Sequence, residues 1–263
     1  MKKLRTIIRW VIWTIAGLYI TTIVLLHIPA VQGFLAQKVG DVAGNKLGTE
    51  VHVGRIDLGF INRFVLDDIL IYDQSHKKML SASRVGARVD IWHLLRTGEI
   101  NISSAQLFGL RAELYKTSKD AKPNFQFVLD SLASKDTTSH TPLHLSINSL
   151  VIRHGNIKYD CLDAPTTPNR LNLNHINVSD ISSYLILNKL DDTSVWADLR
   201  ALAFKEASGL EVKQLAFELK ANQQQATLRD FIFDGTNSKI ALKELLTTYT
   251  FNNKKLDFNT LRY

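Results

Sequence analysis

The feature that most constrains this chain is an uncharged apolar run near its N-terminus. Residues 10–28 contain no Lys, Arg, Asp or Glu, and a helix needs about twenty apolar residues to cross the hydrocarbon core of a bilayer. Four basic residues precede the run, and such residues stay on the cytoplasmic side of a membrane. Residues 1–28 are therefore predicted to be a single transmembrane anchor with its N-terminus in the cytoplasm. The residues predicted to mark the anchor are Trp10, Trp13, Tyr19 and Ile28.

A cleaved signal peptide would also begin with basic residues and continue with apolar ones. Its apolar core is only about 7–15 residues long, however, and it ends at a site of the small-x-small type. The run in this chain is longer, and residues 27–34, HIPAVQGF, offer no good A-x-A pattern. We therefore favour an uncleaved anchor over a cleaved peptide, and the flanking charges disfavour a helix buried in a soluble core.

Residues 29–48 are predicted to form a short amphipathic helix directly after the anchor. Their apolar residues recur at helical spacing, and Gly44 and Gly48 end the pattern. Such a helix could cap the core of the following domain, or it could lie on the outer surface of the membrane; the two roles are compatible. The apolar residues of this juxtamembrane helix are Val31, Phe34, Leu35, Val39 and Val42.

From Glu50 onward the apolar period changes to two, which is typical of β-strands. The alternation is strictest over residues 79–91, and short strands recur at intervals of about 8–12 residues, as in an all-β meander. Residues 149–160 are interpreted as a strand, a tight turn and a second strand. One short helix is predicted near residues 124–133, with Asn124 as its N-cap. The predicted fold is mainly β: an anchor and a short helix followed by a long antiparallel sheet.

The β-rich part is predicted to have two segments. Residues 49–133 form the first, residues 134–142 are a polar linker, and residues 143–263 form the second. The chain stops directly after a strand, and natural proteins usually cover or blunt an unpaired edge. We therefore expect the second segment to continue in a longer protein.

The chemistry of known catalytic motifs is missing from the sequence. There is no G-x-S-x-G, no phosphate loop, no H-E-x-x-H and no G-x-G-x-x-G. His140 and His144 have helical spacing but lie in the polar linker, and the adjacent carboxylates Asp67 and Asp68 should point to opposite faces of a strand. The chain is thus predicted to be no enzyme and to hold no metal ion or cofactor.

Charge and cysteine content exclude further classes of protein. The net charge is +7, but four of the positive charges precede the anchor, and no cluster of Lys and Arg follows it. Nucleic-acid binding normally needs such a cluster, so we predict none. Cys161 is the only cysteine, which rules out an intramolecular disulfide. A lone thiol of this kind is expected to be buried and inert.

Five segments carry a resemblance to a known family. They are residues 31–54, 67–73 (DDILIYD), 89–100 (VDIWHLLRTGEI), 150–159 (LVIRHGNIKY) and 203–210 (AFKEASGL). With the anchor, the amphipathic helix and the strand order, they make the chain resemble the AsmA-like group. Within that group it is similar to the N-terminal portion of TamB (translocation and assembly module) proteins of the Bacteroidetes type.

The resemblance implies a bridge between two membranes. Family members look like an inner-membrane helix followed by a long curled sheet with an apolar groove, and the family has no active site. It implies a single-pass protein of the bacterial inner membrane with its bulk in the periplasm. The implied function is phospholipid passage to the outer membrane, with acyl chains as ligands. An outer-membrane assembly protein would be a partner through a C-terminal region that this chain lacks.

An apolar sheet face has two interpretations. Acyl chains can be solvated by such a face without specific polar contacts, whereas the pattern alone favours the closed core of a sandwich. The anchor, the juxtamembrane helix and the resemblance favour the open groove. A scaffold that binds partner proteins at its sheet edge is a second hypothesis, and an exported enzyme is a third. The residues predicted to line the groove are Val85, Val89, Ile91, Ile100, Ile102, Leu110 and Leu114.

Overall fold

The structure, a computed structural model, describes residues 2–58, 62–89, 96, 102–132, 145–190, 193–252 and 255–262. It confirms the predicted fold class, since the chain is mainly β with a long sheet and few helices. The helices are α1 (Lys2–Leu26), α2 (Pro29–Leu47) and α3 (Gln126–Leu132). The strands are β1 (Val51–Leu58), β2 (Arg63–Tyr72), β3 (Lys78–Val89), β4 (Ile102–Phe108), β5 (Arg111–Lys116), β6 (Leu145–Cys161), β7 (His175–Leu190), β8 (Ser194–Glu206), β9 (Glu211–Asn222), β10 (Gln225–Gly235), β11 (Lys239–Asn252) and β12 (Lys255–Arg262).

Helix α1 is long and apolar enough to cross a membrane. Its segment Arg9–Leu26 has a mean hydropathy of 1.6, and none of that segment is buried in the protein. The hydroxyls of Thr14, Thr21 and Thr22 each donate to the carbonyl four residues earlier, so no polar side chain among these three needs water. A helix of membrane-spanning length is thereby confirmed, while its topology and compartment stay predictions.

Helix α2 lies very close to β1 because glycines face the strand. A Cβ built on Gly40 would lie 2.7 Å from the carbonyl oxygen of Val51, and one on Gly44 would lie 2.7 Å from that of Thr49. The helix begins with Pro29 and ends at Gly48, whose left-handed φ of 70° lets its N–H donate to the carbonyl of Gly44. Only glycine therefore suits positions 40 and 44 of α2.

The twelve strands form a single sheet in which most neighbours in sequence are neighbours in space. The order is β1-β2-β3-β4-β6-β7-β8-β9-β10-β11-β12, and β5 pairs with β3 and β6. The prediction of an antiparallel sheet is wrong at one place, because β6 is parallel to β4 and β5. Residues 117–144, which include α3, supply the long crossover that a parallel pair needs. The two predicted β-rich segments thus share one sheet.

The prediction of a tight turn within residues 149–160 is wrong. Strand β6 runs without interruption from Leu145 to Cys161, and His154 takes a left-handed φ of 55° inside it. Asp68, Asp180 and Asp230 take similar φ values inside β2, β7 and β10. His and Asp tolerate this conformation better than most residues, so these residues make local irregularities while the strands keep pairing.

The predicted short helix is observed as α3, but the prediction of Asn124 as its N-cap is wrong. The Oδ1 atom of Asn124 accepts from the backbone N–H of Tyr115 at 2.9 Å, and its Nδ2 donates to the carbonyl of Glu113 at 3.1 Å. Asn124 therefore fastens the start of α3 to β5, and the free amides of the helix are not its partners.

Several predictions fall outside the described residues. They concern the linker 134–142 with His140 and His144, and the groove residues Ile91 and Ile100.

Cys161 is fully buried, as predicted. Its hydrogen bond to Asp163 Oδ1 (3.0 Å) and its burial both raise the pKa of the thiol. Because the thiolate is the nucleophile, we expect a maleimide to label Cys161 at pH 7 only as fast as the protein unfolds. Labelling kinetics measured beside unfolding kinetics test this. Stoichiometric labelling of the native protein within minutes would contradict it, and Asp163→Asn should leave labelling slow if burial is the main protection.

Candidate functional site: the apolar face of the sheet

Paired residues on neighbouring strands point to the same face of a sheet, so the register identifies which side chains lie together. One row of paired residues runs from β1 to β11, and Ser183 is its only polar member. The row consists of Ile56, Leu66, Val85, Leu107, Ile152, Ser183, Leu202, Leu215, Phe233 and Ile240. We call it the central row.

Two further apolar rows accompany the central row on the same side of β7 to β11. In β7, β8 and β9 their members alternate with residues of the opposite face, and Phe217 stacks on Phe231 with ring centroids 6.5 Å apart. The first of these rows consists of Leu185, Leu199, Phe217, Phe231 and Leu242, and the second of Leu187, Ala197, Leu219, Leu228 and Leu245. We call these three rows together the apolar face.

The opposite face of the same strands is charged. Glu218 receives Lys220 Nζ at 2.9 Å and the indole N–H of Trp196 at 2.9 Å, and Lys220 lies 4.3 Å above the Trp196 ring. Arg229 pairs with Glu244 at 2.7 Å. The sheet thus has one apolar side and one side covered by ion pairs, which we call the polar face.

Helix α2 covers the apolar face at β1. Ala36 is buried against Val53 and Ile56, and Leu35 and Leu66 pack around this cluster. No described helix packs extensively on β6 to β12. Interior members of the apolar face are half-buried by their neighbours in the sheet, and Ile240 is 53% exposed. The face is closed by α2 at its start and has no second layer over its later strands within the described residues.

The structure places the predicted groove residues as follows. Val85 belongs to the central row and is half-buried. Leu110 is buried and Leu114 is half-buried; both lie on the same side of β5 as Ala112, which is paired with Leu80. Val89 and Ile102 are paired across β3 and β4, but their side chains lie outside the described part.

Most of the apolar face was not identified from the sequence. Its members in β7 to β11 do alternate with polar residues, which was the available signal. Irregularities such as the left-handed Asp180 and Asp230 shift the alternation within a strand. The periodicity of one strand therefore does not show which residues of the next strand share its face.

The juxtamembrane residues divide between two environments. Leu35 packs against the cluster under α2, and Val31 is half-buried. Phe34, Val39 and Val42 are exposed, Phe34 and Val42 most strongly. Helix α2 therefore does cap the core at β1, and its exposed apolar side is compatible with the predicted contact with a membrane surface. The anchor residues Trp10, Trp13, Tyr19 and Ile28 are all exposed along or just after α1.

Asp67 lies on the polar face between two arginines. Its carboxylate is 2.6 Å from Arg55 and 2.7 Å from Arg84, and the hydrogen bonds from Arg84 and Arg55 lower its pKa although burial opposes them. Asp68 is exposed and left-handed. The geometry suits a structural ion cluster rather than an acid and base pair. Within the described ranges, no group of three His, Cys, Asp or Glu residues could hold a metal ion.

No protein-family model matches this chain, and neither does any curated protein.

Proposed function

We propose that this chain is the inner-membrane-anchored start of a periplasmic AsmA-like protein of the TamB type, and that its apolar face carries phospholipid acyl chains toward the outer membrane. The observation that supports this most is the central row, a mostly apolar path across ten strands, over whose later strands, β6 to β11, no described residue forms a second layer. Helix α1 supplies an anchor of suitable length. The choice of family in this proposal rests on the resemblance of the sequence.

The dimensions of the apolar face suit an acyl chain. Strands in a sheet are about 4.8 Å apart, so a row from β6 to β11 extends roughly 24 Å. One leaflet of a bilayer contributes about 15 Å of hydrocarbon thickness. Each methylene moved from water to such a face contributes about 0.8 kcal/mol. The affinity of this face for an acyl chain depends only on the apolar area that is buried, so a bound chain is free to move along it.

Photocrosslinking of the full chain tests the proposal without disturbing the fold. Ile240 lies on the apolar face, and its neighbour Ala241 is exposed on the polar face. A benzoylphenylalanine at position 240, irradiated in bacterial membranes, should capture phospholipid, and one at position 241 should not. Equal capture at both positions, or none at position 240, would contradict lipid passage over this face.

Ile240→Asp is expected to reduce the lipid load while leaving the fold intact, because the side chain is 53% exposed. A carboxylate there opposes an acyl chain, and we expect about a fivefold loss, which corresponds to about 1 kcal/mol. Ala241→Asp is the matched control, with the same change of charge on the opposite face. Native mass spectrometry of the full chain in detergent measures the lipid load. Unfolding of the Ile240 variant would instead assign the residue to a closed core.

A scaffold is the second candidate, and one observation favours it. Among the described strands, β12 pairs with β11 only, and an extended partner segment could add to such an edge. Detergent-resistant co-purification of an outer-membrane protein, together with no lipid captured at position 240, would favour the scaffold.

A further inference from the structure

Two arginines lie directly opposite each other on the polar face, with no acid of the described residues between them. Arg63 of β2 is paired with Arg88 of β3, and both side chains are exposed. Side chains in such pairs have Cβ atoms about 4.5–5.5 Å apart. Neither guanidinium has an ion pair or hydrogen bond to any described residue. Two like charges are therefore held side by side.

Other arginines of the polar face form ion pairs with carboxylates. Arg55 of β1 and Arg84 of β3 share the carboxylate of Asp67 in β2. Arg229 pairs with Glu244 at 2.7 Å. Like charges directly opposite in a sheet are unfavourable. The uncompensated pair at Arg63 and Arg88 is a local departure from this pattern, and it is suited to an anionic ligand.

The position of the pair along the sheet indicates which anion it meets. Gly44 lies against Thr49 and Gly40 against Val51, whereas Ala36 lies against Ile56. Helix α2 therefore runs antiparallel to β1, and its Pro29 end lies toward the Leu58 end of the strand. At about 1.5 Å per helical residue, Pro29 lies about 10 Å beyond Ala36, which is about three strand residues. Leu58 is paired with Phe64, the neighbour of Arg63.

The junction of α1 and α2 and the arginine pair therefore lie at the same end of the sheet. If α1 spans the membrane, this end is nearest to the outer surface of that membrane. We propose that Arg63 and Arg88 together bind the phosphate of an anionic phospholipid headgroup there. The planar guanidinium presents a fork of donors that matches phosphate oxygens. This inference depends on α1 crossing the membrane but not on acyl chains moving over the apolar face.

Native mass spectrometry of the full chain in a neutral detergent tests the site, with phosphatidylglycerol or phosphatidylcholine added. We expect adducts of phosphatidylglycerol on the wild-type protein at about tenfold lower concentration than those of phosphatidylcholine. Arg63→Gln with Arg88→Gln should remove this preference. Lys213→Gln with Lys243→Gln, two exposed cations of β9 and β11, should keep it at the same net charge. The four basic residues at the start of α1 are present in every variant, so they do not contribute to the difference.

Two outcomes would overturn the proposal. One is an unchanged preference in the Arg63 and Arg88 double variant. The other is competition by inorganic phosphate at the same concentration as the lipid, which would indicate a site for free phosphate.

Arg88→Glu is a control for misfolding, because it replaces the pair of like charges by a cross-strand ion pair with Arg63. This variant should unfold at the same temperature as the wild type or higher, and it should still lose the preference for phosphatidylglycerol. A folded Arg88→Glu protein that keeps the preference would refute the site. Lipid capture at position 240 should be unaffected by these variants, so failure of this site and failure of the proposed function are separable.

Discussion

Gly40→Leu is expected to displace α2 from the sheet and to cost about 3 kcal/mol of the free energy of unfolding, the upper part of the range for overpacked sites. The Cβ alone would lie 2.7 Å from the carbonyl oxygen of Val51. That oxygen belongs to a strand backbone and cannot turn away as a flexible side chain could. Movement of α2 would also expose the cluster of Ala36, Val53 and Ile56. Chemical denaturation followed by tryptophan fluorescence measures the change.

Gly33→Ala is the matched control in the same helix. Nothing lies within 4 Å of a Cβ at Gly33, and replacing an unconstrained helical glycine by alanine stabilises by roughly 0.5–1 kcal/mol. The two substitutions should therefore change the stability in opposite directions. Equal effects of the two would mean that α2 is not held closely against β1.

Asp73→Ala is expected to cost about 2–3 kcal/mol, since hydrogen bonds to a charged group contribute about 1.5–3 kcal/mol and donors left without a partner add to the loss. Asp73 is 2% exposed. Its carboxylate accepts from the N–H groups of Ser75 (2.8 Å) and Lys77 (2.9 Å) and from the Tyr115 hydroxyl (2.8 Å). It thereby connects the β2–β3 turn to β5. Thermal and denaturant unfolding measure the loss.

The same carboxylate should make stability depend on pH. Burial alone would raise its pKa, but the hydrogen bonds from Lys77, Tyr115, Ser75 and Asn124 outweigh burial, and the pKa lies below its ordinary value of 3.8. A lowered pKa contributes stability above the unfolded-state pKa, and this contribution is lost as the pH falls through the folded-state pKa. The difference in stability between wild type and Asp73→Ala should therefore be constant above about pH 5 and shrink below pH 3.8.

Asp120→Ala is the control for both measurements, because Asp120 is an exposed loop residue and such substitutions usually stay within about 0.5 kcal/mol. A difference between wild type and Asp73→Ala that stays constant down to pH 2 would show that the pKa of Asp73 is the same in the folded and the unfolded protein.

Local patterns were sufficient wherever a segment is determined by its own residues. The bounds of α2 follow from Pro29, the apolar spacing and Gly48, and strand β3 (Lys78–Val89) follows from its strict alternation. Helix α1 follows from the uncharged run after Arg9. In each case the residues that predict the helix or strand lie within it. The element is stabilised by contacts between neighbours along the chain or by burial of a single apolar face.

Local patterns did not predict how strands distant in sequence pair with each other. The parallel arrangement of β6 with β4 and β5 depends on a crossover whose path no local pattern records. The residues around His154 are typical of a turn, but the pairing of β6 with strands on both of its sides outweighs that local preference. Asn124 is a residue type that favours N-caps, yet it bonds instead to the backbone groups of Tyr115 and Glu113 in β5.

The sequence by itself determined that the chain has a membrane-length helix, a second helix and a β-rich remainder with alternating apolar residues. It also determined that Cys161 has no partner cysteine. Only the tertiary structure decided which of those apolar residues form one continuous face and which arginines stand opposite each other. The reason is register: side chains of a strand alternate with period two, and a single irregular residue such as Asp180 or Asp230 changes which residues of neighbouring strands lie side by side.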